Sequence, residues 1–95
     1  MMKICRYEII PCNKVVIDLP IGTRPLSVGS QRELASGSIQ LWCLVPMNQP
    51  VTEPTTFRIA SVGHPLDYVT DDLEFIGTVL MANGSLVFHV FMVNQ

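Results

Sequence analysis

Residues 74–93 read Glu-Phe-Ile-Gly-Thr-Val-Leu-Met-Ala-Asn-Gly-Ser-Leu-Val-Phe-His-Val-Phe-Met-Val, and this stretch decides the fold. Asn83-Gly84 is the dipeptide of a type I′ turn, in which both central residues take positive φ. The flanking runs, 74–81 and 85–93, are rich in β-branched and aromatic residues, as strands are. Counting outward from the turn sets Met81 opposite Leu86, Val79 opposite Phe88, Gly77 opposite Val90 and Phe75 opposite Met92. That face is apolar throughout and is expected on the core. The other face pairs Leu80 with Val87, Thr78 with His89 and Ile76 with Phe91. It too is mostly apolar, whereas a half-solvated hairpin would alternate with polar residues. Two apolar faces call for two partners, the domain's own core and, by expectation, a second copy of the chain.

Upstream, seven prolines and six glycines punctuate the chain at short intervals, which favours short strands over helices. Strands are expected at 2–10, ended by Pro11, at 14–19, at 25–30, at 38–46 as a central strand, and at 56–62. Pro46, Pro50 and Pro54 are read as bracketing a polar loop, because proline cannot donate to a ladder. Gln31–Ser36 is too short for a stable helix and reads as a hairpin loop. Residues 66–72, with Asp67, Asp71 and Asp72, read as a connection. The expected fold class is all-β: one domain over residues 1–95, a small sandwich or partly closed barrel of six to seven mostly antiparallel strands.

Composition agrees with a single core and removes several function classes. The chain has 95 residues, 48% hydrophobic and 15% charged, against about 25% charged in ordinary soluble domains. Mean hydropathy is +0.38, too apolar for a disordered chain, yet no apolar run approaches the ~18 residues of a membrane span. The formal charge is −2 and there are six basic residues. Lys3 and Lys14 are the two lysines, so the basic stripe that wraps duplex nucleic acid is missing. The three cysteines, Cys5, Cys12 and Cys43, show no metal-like clustering, and the first residues lack the apolar core of a secretory signal. The expectation is free thiols in a cytoplasmic protein, with Cys43 buried in the run Leu41–Val45.

Candidate site residues are few. His89 is expected to be structural, with the Thr78 hydroxyl satisfying one ring nitrogen across the strands. His64 lies between Gly63 and Pro65 at a strand end, where a loop presents side chains; it reads equally as a binding residue or as a turn residue bonded to Asp67. Arg58 and Arg24 carry the planar fork that suits a carboxylate or phosphate. Trp42 is either core or a stacking platform. Arg58, His64, Trp42, Asp67 and Arg24 are therefore the candidate ligand-binding set, with Arg58, His64 and Trp42 able to line one pocket if the fold brings them together. No metal site, no cofactor and no catalytic residue is expected, because no glycine-rich phosphate loop, nucleophile elbow or workable ligand set is present.

Five segments together resemble a family of short proteins of unknown function found mostly in tailed bacteriophages and prophages. They are Leu41-Trp42-x-Leu-Val with Thr56-Phe57-Arg58-Ile59, Val62-Gly63-His64-Pro65-Leu66-Asp67, Phe75-Ile76-Gly77-Thr78, and Gly84–Phe91. Gly-His-Pro-x-Asp and Phe-His-Val-Phe are the most specific pieces, and the likeness spans about residues 5–93. The resemblance implies a phage protein acting in the host cytoplasm, and it transfers no reaction. The functional expectation is a non-enzymatic binding protein and homo-oligomer, a counter-defence protein that sequesters a small anionic ligand such as a nucleotide signal. The alternative is a protein–protein inhibitor of a host defence protein, or a minor virion component. Duplex nucleic acid and membranes are not expected partners.

Overall fold

A computed structural model describes residues 1–30, 38–61, 63, 72–81 and 86–94, with Met81 described by its backbone. Seven strands build two sheets: β1 (Met2–Ile9), β2 (Lys14–Pro20), β3 (Arg24–Ser30), β4 (Ile39–Pro46), β5 (Thr52–Ser61), β6 (Leu73–Met81) and β7 (Leu86–Val93). The three-stranded sheet has the order β1-β4-β3 and the four-stranded sheet the order β2-β5-β7-β6. All the ladders are antiparallel. The fold class is therefore all-β, and of the two expected forms it is the sandwich: two separate sheets, with no closed barrel.

The core lies between the sheets because both present their alternate residues to it. Ile9, Ile39, Leu41, Cys43 and Val45 come from the three-stranded sheet, and Leu19, Phe57, Ile59, Val79 and Val90 from the four-stranded one. Phe57 is fully buried, and its removal from water stabilises the fold by about 1.5–3 kcal/mol. No buried side-chain polar atom among the described residues lacks a partner. Gln40, buried despite its outward place in the alternation, donates from Nε2 to Ser38 Oγ at 3.1 Å.

The two long sides of the sandwich differ. On one, β3 meets β6, where Ser30 Oγ donates to the Leu80 carbonyl at 3.0 Å. A Cβ on Gly77 would lie 2.8 Å from Val28 Cγ2, so only glycine lets the two strands approach this closely. On the other side run β1 and β2, consecutive in sequence yet in different sheets. The tight return from β2 to β3 turns on Gly22 at φ +91°, and Thr23 donates from its backbone N–H and its hydroxyl to the Pro20 carbonyl.

Two expectations need correction. Pro54 is not in a loop: β5 begins at Thr52, and Pro54 pairs with Asp18 of β2. The β7 ladder covers only Phe57–Ser61 of β5, so Pro54 sits where the strand has a single described neighbour, a place that tolerates a missing N–H. The hairpin register holds from Met81↔Leu86 to Gly77↔Val90 and then slips at a bulge. Phe75 pairs with Phe91 rather than Met92, and Glu74 takes Met92. The extra residue is Ile76, which packs against the core, while Phe75 turns outward and is 57% exposed. Bulges commonly fall beside a glycine, here Gly77, held against β3. The Asn83-Gly84 turn itself and Gln31–Ser36 lie outside the described residues.

Candidate functional site

The candidate residues distribute over opposite sides of the sandwich. Arg58 alternates with the buried Phe57 and Ile59, so it stands on the outer face of the four-stranded sheet. Across the ladders it faces Lys14 of β2 and Phe91 of β7. Phe91 in turn faces Phe75 of β6, giving one outer row of two cations followed by two aromatic rings. The Phe75 and Phe91 ring centroids are 5.6 Å apart and tilted by 59°, within the ~4.5–7 Å range of favourable aromatic pairs. His89, one row further on, is 6.4 Å from Phe75. Its Nδ1 lies 2.9 Å from Thr78 Oγ1, the cross-strand bond expected from the sequence. Leu80, more than half exposed, and Val87 continue the same face.

Trp42 and Arg24 belong elsewhere. Trp42 alternates with buried Leu41 and Cys43, so it lies on the outer face of the three-stranded sheet, half-buried. Its ring rests on Gly29, where a Cβ would come within 3.0 Å of Cζ3. Arg6 faces Trp42 across the β1–β4 ladder, and the exposed Arg24 faces Leu44 across β3–β4. The core therefore separates Trp42 and Arg24 from Arg58, and the structure does not bring the three together. His64 and Asp67 lie outside the described residues.

A third surface is one that sequence reasoning passed over. On the β1 side, a groove of about 480 Å³ is lined by Lys3, Cys5 and Tyr7 of β1 and by Pro46, Asn48 and Gln49 at and beyond the end of β4. The turn that carries Asn48 and Gln49 has Asn48 at φ 63° and is held by Gln49 Oε1, which accepts from the Val51 N–H at 3.2 Å. Lys3, Cys5 and Tyr7 alternate toward the interior in line with buried Ile9. Behind Cys5 stands Cys43, its direct partner in the ladder. Burial, and after it the neighbouring Cys5, pushes the Cys43 thiol up to about 11. Burial first, then the same two cysteines, raises Tyr7 above the ordinary phenol value. A legible signal was present: reactive or polar residues at i, i+2 and i+4 occupy what should have been the apolar face of β1.

No three His, Cys, Asp or Glu side chains among the described residues gather into a metal-holding group. None of their helices is long and apolar enough to cross a membrane. The family model for a domain of unknown function, DUF7352, matches residues 1–95. The chain belongs to the DUF7352 family. The match covers every strand of both sheets, so the sandwich, with the groove and the two outer faces, is the DUF7352 domain of this chain. No curated protein and no solved structure matches it.

Proposed function

We propose that this DUF7352 protein acts by binding rather than catalysis, and that it does so as a homo-oligomer joined through the outer face of the four-stranded sheet. The observation that carries the reading is that face itself. Phe75 is 57% exposed and Leu80 59% exposed, and both continue into Phe91 and Val87 on the neighbouring strand. These two apolar rows, with the Thr78–His89 pair between them, support an association site on this face. A second copy meets it with the same aromatic rings, as a two-fold contact requires.

Lys14 and Arg58 stand side by side at the border of the face, so a small anion such as a nucleotide is proposed to be held there, next to the subunit contact. With the likeness to small phage proteins, this supports a counter-defence role in which a host nucleotide signal is sequestered. Light scattering is the test. Wild-type protein is expected to be oligomeric, and Phe75→Asp with Leu80→Lys to be a folded monomer. A native mass spectrum is expected to show small-molecule mass that Arg58→Ala loses. Monomeric wild-type protein sinks the self-association, and pull-down of a host protein by that monomer would point to an inhibitor instead.

A further inference from the structure

The groove beside β1 carries chemistry independent of the outer face. Cys5 and Cys43 are directly opposed in an antiparallel ladder, so they share a face, and both point to the interior. Opposed residues have Cα atoms about 4.5 or 5.5 Å apart, either of which lies inside the ~4.4–6.8 Å range spanned by disulfides. Their Cβ atoms stand about 4.5–5.5 Å apart, within about an ångström of bonding distance. Both thiols are free. Cys5 is open to the groove and Cys43 is fully buried behind it. Among the described residues the groove lining holds one cation, Lys3, and no carboxylate, and the groove, of about 480 Å³, is open to solvent.

We propose that this groove admits an anionic low-molecular-weight disulfide of the glutathione class, and that Cys5 and Cys43 are the dithiol it oxidises, closing a cross-strand disulfide between β1 and β4. In the first step the Cys5 thiolate attacks one sulfur of the incoming disulfide. That S–S bond breaks, one thiolate leaves and is protonated by solvent, and a mixed disulfide remains on Cys5. In the second step Cys43 loses its proton to solvent and its thiolate attacks Cys5 Sγ. The bond from Cys5 to the small thiol breaks, and the second thiolate leaves. Two protein thiols are oxidised and one small disulfide is reduced to two thiols. Lys3 attracts the carboxylates of the entering molecule. The buried Cys43 thiol, held up near 11, makes the second step slow at neutral pH and faster by up to about tenfold per unit as pH rises.

The experiment uses the Cys12→Ser protein, because Cys12 is exposed and would react independently. Incubation with oxidised glutathione, followed by intact-mass and peptide analysis, is expected to show loss of two hydrogens and a Cys5–Cys43 linked peptide. Adding Cys43→Ala is expected to trap one glutathione on Cys5, with circular dichroism reporting that the fold is kept. Lys3→Gln is expected to slow the reaction with oxidised glutathione about threefold or more, and to leave that with the uncharged bis(2-hydroxyethyl) disulfide unchanged. A mixed disulfide that never closes onto Cys43 in the Cys12→Ser protein would overturn the dithiol. Equal slowing of both reagents by Lys3→Gln would overturn the anion-selective groove.

Discussion

The outer faces of the two sheets start from the same strand alternation and end differently. On the three-stranded sheet the largest side chain, Trp42, lies down on Gly29, and Arg6, Glu8 and Arg24 stand around it. The mass of that ring is absorbed by its own sheet, while the smaller Met2 and Ile4 on β1 and Leu26 on β3 stay exposed. On the four-stranded sheet Phe75 leans on Phe91, ring against ring, and both Phe75 and Leu80 remain exposed. A large outward side chain is covered locally when a neighbour is small enough to receive it. When the neighbours are themselves large it stays available to another molecule.

The sharpest way to break this contrast is at the bulge that turned Phe75 outward. Gly77→Val places new atoms where a Cβ alone would sit 2.8 Å from Val28, and is expected to cost about 2–3 kcal/mol in urea unfolding. An unchanged midpoint would mean that β3 and β6 are not in close contact. Next in size is Trp42→Ala, which uncovers Gly29 and gives up half-buried contacts. About 1–2 kcal/mol of stability is expected to go, with the oligomeric state unchanged. If Trp42→Ala dissociated the oligomer instead, the roles of the two faces would be reversed. The smallest effect on stability is expected from Leu80→Lys, within about 0.5 kcal/mol. Its neighbour in the strand, Val79, is 1% exposed. A loss above 1 kcal/mol from Leu80→Lys in a monomeric background would show that something in the chain covers that face.

Much of the fold was legible because local rules were enough. Asn83-Gly84 and the runs beside it set the β6–β7 pairing as far as Gly77, and with it the Thr78–His89 bond. Cys43 was legible as core because it sits in an apolar run on a strand flanked on both sides. Counting failed at Ile76 because register carried outward from a turn assumes one residue against one, and the extra residue falls beside Gly77, which lies against Val28 of β3, distant in the chain. The pocket expected from Arg58 and Trp42 was not recoverable for a related reason. Alternation sorts residues onto the two sides of a strand, yet it left Trp42 as core or platform and does not say that the two strands belong to different sheets. Pro54 misled because proline argues against a strand interior but says little where the strand has one neighbour. The alternation of Lys3, Cys5 and Tyr7 on β1 was legible, but the placing of Cys43 opposite Cys5 was not, because the partner strand is distant in sequence.

That distance has a kinetic consequence. β1 pairs from Met2↔Pro46 to Ile9↔Ile39 and with no neighbouring strand in sequence. β1 therefore has no sheet to join until β4 has been synthesised, and β2 must likewise wait for β5. The adjacent pairs β3–β4 and β6–β7 can close early, with loop entropy opposing the rest. Topologies dominated by such non-local pairing refold in milliseconds to seconds rather than microseconds. During that interval the unpaired β1 carries Cys5, Tyr7 and Ile9 in the open, and the rate of β1 docking sets how long the chain exposes them.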